Sequence, residues 1–238
     1  MAETEGPEAE VREVLRHVKM NRRDGVSFLY LSNSWAVTAL PEEIRRLDWI
    51  TWMDLEGTRV ADLSPLAPLV HMEKLDLRGT PVSDLTTLAG MTKLQNLFLE
   101  GTQVEDLSPL SGCTRLREIW LDGTGVVDLS PLGNCRALQS FSIRGTAVAD
   151  LSPLAGLPEL TALNLDKSRV EDLSPVLSLP AFCETREEPE ISFEGTPAAA
   201  RDKALARIAE MEDPTFRARD LVDHLTGGTR LTGWRGNA

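Results

Sequence analysis

Residues 78–90 read RGTPVSDLTTLAG: a glycine-threonine turn, one valine, an aspartate and two leucines three apart. Taken alone, Asp84, Thr86 and Thr87 resemble a reactive polar cluster. The rest of the chain decides otherwise, because nearly the same words recur as EGTRVADLSPLAP at 56–68, EGTQVEDLSPLSG at 100–112, DGTGVVDLSPLGN at 122–134, RGTAVADLSPLAG at 144–156 and DKSRVEDLSPVLS at 166–178. The turn residues are Gly57, Gly79, Gly101, Gly123, Gly145 and Lys167, each 22 positions after the last. A fixed period of this size with apolar residues at set offsets is the mark of a solenoid in which each repeat forms one layer.

Within one period each position has a physical reason. Leu75 and Leu77 alternate with Lys74, Asp76 and Arg78, the two-residue rhythm of a strand with one buried face. Met53 and Leu55, Leu97 and Leu99, Ile119 and Leu121, Phe141 and Ile143, and Leu163 and Leu165 repeat that inward pair. The spacing predicts parallel strands at 51–55, 73–77, 95–99, 117–121, 139–143 and 161–165. Glycine at the turn permits a positive φ, and the following hydroxyl (Thr58, Thr80, Thr102, Thr124, Thr146, Ser168) is expected to satisfy buried loop amides and carbonyls. In DLSPL the serine is expected to cap a short convex helical turn, with proline at its first position. In DLTTL, Thr86 takes the place of serine and Thr87 that of proline, so the opening cluster becomes a degenerate cap.

The pattern LxLxGTxVxDLSPLxxLxxL, running over about residues 48–180, resembles the 22-residue class of leucine-rich repeats found in bacterial internalins and in a leucine-rich regulatory subunit of protein phosphatase. The resemblance implies an α/β leucine-rich-repeat solenoid with a parallel concave sheet, short convex helical turns and helical caps at both ends. It also implies a noncatalytic protein–protein interaction scaffold, with a secreted bacterial effector or adhesin of internalin type as the alternative. Threonine stands here where the family usually buries an asparagine.

The composition and the ends divide the chain into four parts. Residues 1–25 read as an acidic tail and an N-terminal cap helix over 8–20, with Val11, Val14, Leu15 and Val18 at helical spacing. Residues 26–180 form the array, opening with the divergent repeat FLYLSNSWAVTALPEEIRRLDWI. Residues 181–228 hold an irregular loop, a last strand at ISFEGTP, one helix from Thr196 and Pro197 carrying Leu205, Ile208 and Met211, and another from Asp213 and Pro214 that stops at Gly227 and Gly228. Residues 229–238 read as a disordered tail, with Trp234 as a candidate small anchor.

A formal net charge of −12 opposes nonspecific binding to nucleic acid or to anionic membranes. There is no apolar run of the roughly 18 residues a spanning helix needs, and MAETEGPEAE is acidic where a secretory signal would be basic, so a cytoplasmic monomer is expected. Cys113 and Cys135, one period apart, read as buried core thiols, and Cys183 has no histidine near it in sequence. His17, His71 and His224 are scattered, and the column Asp62, Asp84, Asp106, Asp128, Asp150 and Asp172 is expected to bond local backbone rather than calcium. With no phosphate loop, nucleophile elbow or zinc motif, the expectation is no enzyme, no cofactor and no metal.

Function then falls to the outward residues of the strands, which this architecture places on the concave face. There the aromatics concentrate in the first repeats, ringed by more acidic than basic side chains. The candidate partner-binding residues are Trp52, Asp54, Asp76, Phe98, Glu100, Glu118, Trp120 and Asp122, and the expected partner is a protein with a basic surface. Phe28, Tyr30 and Trp52 either extend this patch or pack under the N-terminal cap.

Overall fold

A short extended stretch precedes each turn, and backbone pairing between successive stretches builds the molecule. The computed structural model describes residues 11–12, 15–16, 25–32, 34–183 and 188–228. Among them eight strands form one sheet: β1 (Phe28–Tyr30), β2 (Trp52–Asp54), β3 (Lys74–Asp76), β4 (Asn96–Phe98), β5 (Glu118–Trp120), β6 (Ser140–Ser142), β7 (Ala162–Asn164) and β8 (Glu190–Ser192). They lie in chain order, and every neighbouring pair is parallel. From β2 to β7 each residue pairs with the one a full period on, as Leu75 does with Leu97, so the sequence period becomes the sheet register.

Regular strand is three residues long where five were expected, yet pairing runs past it. The Leu77 amide donates to the Phe98 carbonyl at 2.9 Å and the Gly79 amide to the Glu100 carbonyl at 2.8 Å. The same two bonds recur in every layer from Leu55 to Lys167, whose amide reaches the Glu194 carbonyl at 2.7 Å. The five glycines of this column have φ between 65° and 69°, where a β-carbon is unfavourable. Lys167 accepts φ 56°, alone among described non-glycine residues in being positive.

Each buried threonine closes its own turn. Thr58, Thr80, Thr102, Thr124 and Thr146 donate their hydroxyls at 2.6–2.8 Å to the carbonyl three residues back, which also accepts the threonine amide at 3.1 Å. The hydroxyl therefore works within its repeat and serves a carbonyl.

The convex segments are single 3-10 turns, such as Ser64–Leu66 and Ser108–Gly112, and their caps correct the sequence expectation. The capping side chain is the aspartate. Asp62, Asp84, Asp106, Asp128, Asp150 and Asp172 each accept the amide two residues on at 2.7–2.8 Å, and serine or threonine is the donor. A carboxylate is the stronger acceptor, and the two-residue reach is that of an Asx turn. Thr86 thus donates its amide and its hydroxyl to Asp84.

Beneath the sheet, Val104, Leu107, Leu110, Cys113 and Leu116 fill one layer, and their counterparts fill the others in one continuous apolar core. At the N-terminal end residues 11, 12, 15 and 16 are helical, with Val11 and Leu15 buried against that core; the remainder of the helix expected at 8–20 lies outside the described residues. At the other end the expected irregular loop contains a short helix, α1 (Pro180–Cys183), with Phe182 buried; the disordered tail expected at 229–238 lies outside the described residues. The helix expected from Thr196 is two helices, α2 (Pro197–Arg201) and α3 (Lys203–Ala209), because Asp202 turns extended and caps the second through Ala204 and Leu205. The last, α4 (Pro214–Leu225), packs on β8. From it Arg217 donates to the Ile191 carbonyl at 2.8 Å and to the Met211 carbonyl, occupying an acceptor on the open sheet edge. Among the described residues no helix is long and apolar enough to cross a membrane.

Two outcomes follow from these turns. Thr102→Val removes one hydroxyl donor but leaves the Leu99 carbonyl its amide, so chemical denaturation should show a loss of about 0.5–1.5 kcal/mol. Hydrogen bonds from the residue two positions on hold the carboxyls of Asp84, Asp106 and Asp128 below the ordinary range. Depressed carboxyl groups stabilise the fold above the unfolded pKa of about 4 and lose that contribution as pH falls through their folded values. Replacing all three by Asn, which keeps the acceptor and abolishes titration, should flatten the acid limb of a melting-temperature profile.

Candidate functional site on the concave face

Because first and third residues of each strand share a face, β1 to β5 present Phe28, Tyr30, Trp52, Asp54, Lys74, Asp76, Asn96, Phe98, Glu118 and Trp120 in two adjoining columns. In-register pairing of Phe98 with Trp120 brings their ring centroids to 4.8 Å. A second aromatic group opens the sheet, with Tyr30 at 5.0 Å from Phe28 and 4.9 Å from Trp52. Phe28 and Tyr30 are each 41% exposed, which places them in the open rather than under the cap.

Two candidate residues are less accessible than their orientation implied. Phe98 is only 6% exposed and Asp76 only 3%. Both are covered by long cationic side chains of β3 and its turn: Lys74 Nζ lies 5.3 Å from the Phe98 centroid and Arg78 Cζ 5.6 Å. Arg78 also bonds Asp76 at 2.6 Å and reaches Glu56 at 3.2 Å. Asp54, Glu56 and Asp76 have carboxylate oxygens within 4.8 Å of one another, a group the sequence reading passed over in favour of the convex aspartates. Arg78 pairs with two of the three, Asp76 and Glu56, from within. The N-terminal part of the expected acidic rim is therefore largely engaged by the protein's own cations.

The other half differs. Asp122 accepts the Ser142 hydroxyl and, at 3.0 Å, the Arg144 amide. Glu100 is half-buried beside it, and its Oε2 is buried without a hydrogen-bond partner among the described residues. Burial pushes the Glu100 carboxyl up to about 7; Arg78 pulls against this, while Asp122 and Asp76 add to it. These residues, with Trp120, border a groove of about 390 Å³ that runs over Ala162 to Glu190 and Pro214. Glu118 stands partly exposed on β5 next to it. Sequence reasoning missed Glu190 and Pro214; the out-of-period strand at ISFEGTP was the signal for the first, and Pro214 is brought in by a helix remote in sequence.

Cys113 and Cys135 are free, fully buried thiols, and burial pushes both up to about 11. Cys183 donates to the Leu177 carbonyl at 2.9 Å. His224 sits 3.0 Å from Asp202, where it supports the cap of α3.

Residues 92–134 match the family of Leucine Rich repeats (2 copies). Internalin C2 of Listeria monocytogenes shares 31% identity with a TM-score of 0.60, over 66% of this chain and 79% of its own. An internalin (inlF) of the same organism shares 25% identity with a TM-score of 0.70 over 82% of this chain, which spans 59% of that protein. A leucine-rich-repeat protein of Leptospira interrogans, 17% identical with a TM-score of 0.66, shares the fold. No curated protein sequence matches the chain. The chain belongs to the leucine-rich-repeat proteins, with repeats like those of bacterial internalins.

Burial of the Glu100 carboxyl predicts a pH-dependent stability. A carboxyl whose folded pKa is raised binds its proton more tightly in the folded state, so its contribution favours folding at low pH and fades as pH rises from about 4.5 to 7. Glu100→Gln should therefore melt at a temperature less dependent on pH between about 5 and 8 than the wild type, with the gain at the alkaline end.

Proposed function

We propose that this protein is a noncatalytic, monomeric scaffold that holds a partner protein on its concave face. The fold itself supports an interaction role, since a rigid parallel sheet offers a long unpaired side-chain surface. The observation that carries the reading is Trp120: it stands partly exposed on a rigid strand, backed by Phe98, at the mouth of an acidic groove. A large ring held by a packed neighbour loses little entropy on binding, which is the make-up of an energetic anchor. Trp52, with Tyr30 and Phe28, supplies a second contact area at the N-terminal end. Glu100, Glu118 and Asp122 favour a partner with a basic surface, as does Asp54, which is partly exposed, while Asp76 and Phe98 act from beneath by holding Arg78 and Lys74.

The test is affinity capture of the natural partner from the host, followed by calorimetry on the purified pair. Trp120→Ala should weaken binding by about 2 kcal/mol, roughly 30-fold, and leave the melting temperature close to wild type. Val127→Asp, at a position 58% exposed and off the concave columns, should leave affinity unchanged. Normal binding by Trp120→Ala would move the site elsewhere, and the C-terminal helices with exposed Phe216 would become the better candidate.

A further inference from the structure

The concave face treats its own cations in a consistent way. Lys74 sets its Nζ 4.4 Å from the Trp52 centroid and 5.3 Å from that of Phe98, on a strand whose neighbouring positions carry Asp54 and Asp76. Arg78 lies over Phe98 while bonding Asp76. In this sheet an aromatic ring beside carboxylates is a cation seat, and both upstream seats are taken by the chain's own side chains.

One period further on the same parts recur with no described cation stacked on the ring. Trp120 stands beside Glu100 and Asp122 at the head of the groove of about 390 Å³, with Ala162 on the floor and Glu190 and Pro214 at the far side. Among the described residues no Lys or Arg lines this groove, and no cation lies over the Trp120 ring. We infer that the groove is a subsite for an arginine side chain of the polypeptide bound on the concave face, with the guanidinium stacked on Trp120 and bonded to Glu100 and Asp122. This rests on the interaction reading above and names the chemistry of the occupant.

Three observations support that occupant. Glu100 and Asp122 border the groove beside Trp120, and a planar fork of N–H donors is the group that pairs with carboxylates while stacking on a ring; Glu100 Oε2, buried without a hydrogen-bond partner among the described residues, leaves that carboxyl with unmet acceptor capacity. The open groove of about 390 Å³ has room for a long side chain with its flanking backbone. The charged groups facing Glu100 are Arg78, Asp76 and Asp122, so two of the three disfavour its ionised form; a guanidinium arriving there would draw the proton off.

The experiment titrates the full chain with short peptides identical except for a central arginine, lysine or citrulline, the last a neutral isostere of arginine, and follows the Trp120 indole signal by NMR and the heat in two buffers of different ionisation enthalpy. The arginine peptide should shift the Trp120 signal, bind about five-fold or more tightly than the citrulline peptide, and release protons near pH 7. Glu100→Gln should abolish the proton release, and Trp120→Ala should remove binding. Equal affinity for citrulline, equal affinity for lysine, an unmoved Trp120 signal at millimolar peptide, or proton release that survives Glu100→Gln would each overturn the assignment. If the peptides fail while Trp120→Ala still loses the natural partner, the scaffold reading stands and the arginine subsite falls. Partner capture indifferent to Trp120→Ala would sink both.

Discussion

The bond on which the structure depends runs from the amide of each turn residue to a carbonyl in the next layer, as from Gly101 to Asp122 at 2.8 Å. It carries the parallel ladder through a bend that would otherwise end it. A positive φ keeps the chain compatible with that bond, which is why glycine occupies the column and why Lys167, its one substitute, adopts the same conformation. Once this bond fixes the register, every side-chain column follows from it. Leucine lies on leucine under the sheet, and Phe98 lies against Trp120 above it.

Much of this was legible because a strict period is already a register. The strands, the buried columns and the local role of the convex aspartates followed from offsets alone. Choosing serine over aspartate as the cap failed for a local reason: both residues carry an oxygen within reach of the turn, and spacing does not say which one meets the amide. The burial of Phe98 was hidden for a different reason. Its alternation is that of an outward residue, but its exposure depends on whether Lys74 and Arg78, one layer back, fold over it or extend into water. The groove escaped notice because its far wall breaks the period. There β8 follows β7 after a longer detour, and Pro214 arrives from α4.

Charge is distributed unevenly along the sheet in a way that the net value of −12 conceals. Toward β3, acids and bases are interleaved, and they satisfy one another while pinning the aromatic rings. Toward β6, acids outnumber bases, the strands offer small residues, and Glu100 is left half-dry with a spare acceptor. A single scaffold thus carries a self-neutralised, rigid half and an electrostatically unsatisfied half. Surfaces of the second kind are those where an incoming charge of opposite sign replaces lost water most effectively.

The threonine column has a consequence for how such a chain changes over evolutionary time. Each hydroxyl is spent inside its own repeat, on the carbonyl three residues back, so no side-chain hydrogen bond in that column crosses from layer to layer. Duplicating or excising one whole unit leaves all other turns closed and asks only that backbone and apolar faces meet again in register. Repeat number, and with it the reach of the binding surface, is free to drift by recombination while the internal chemistry of every layer stays the same.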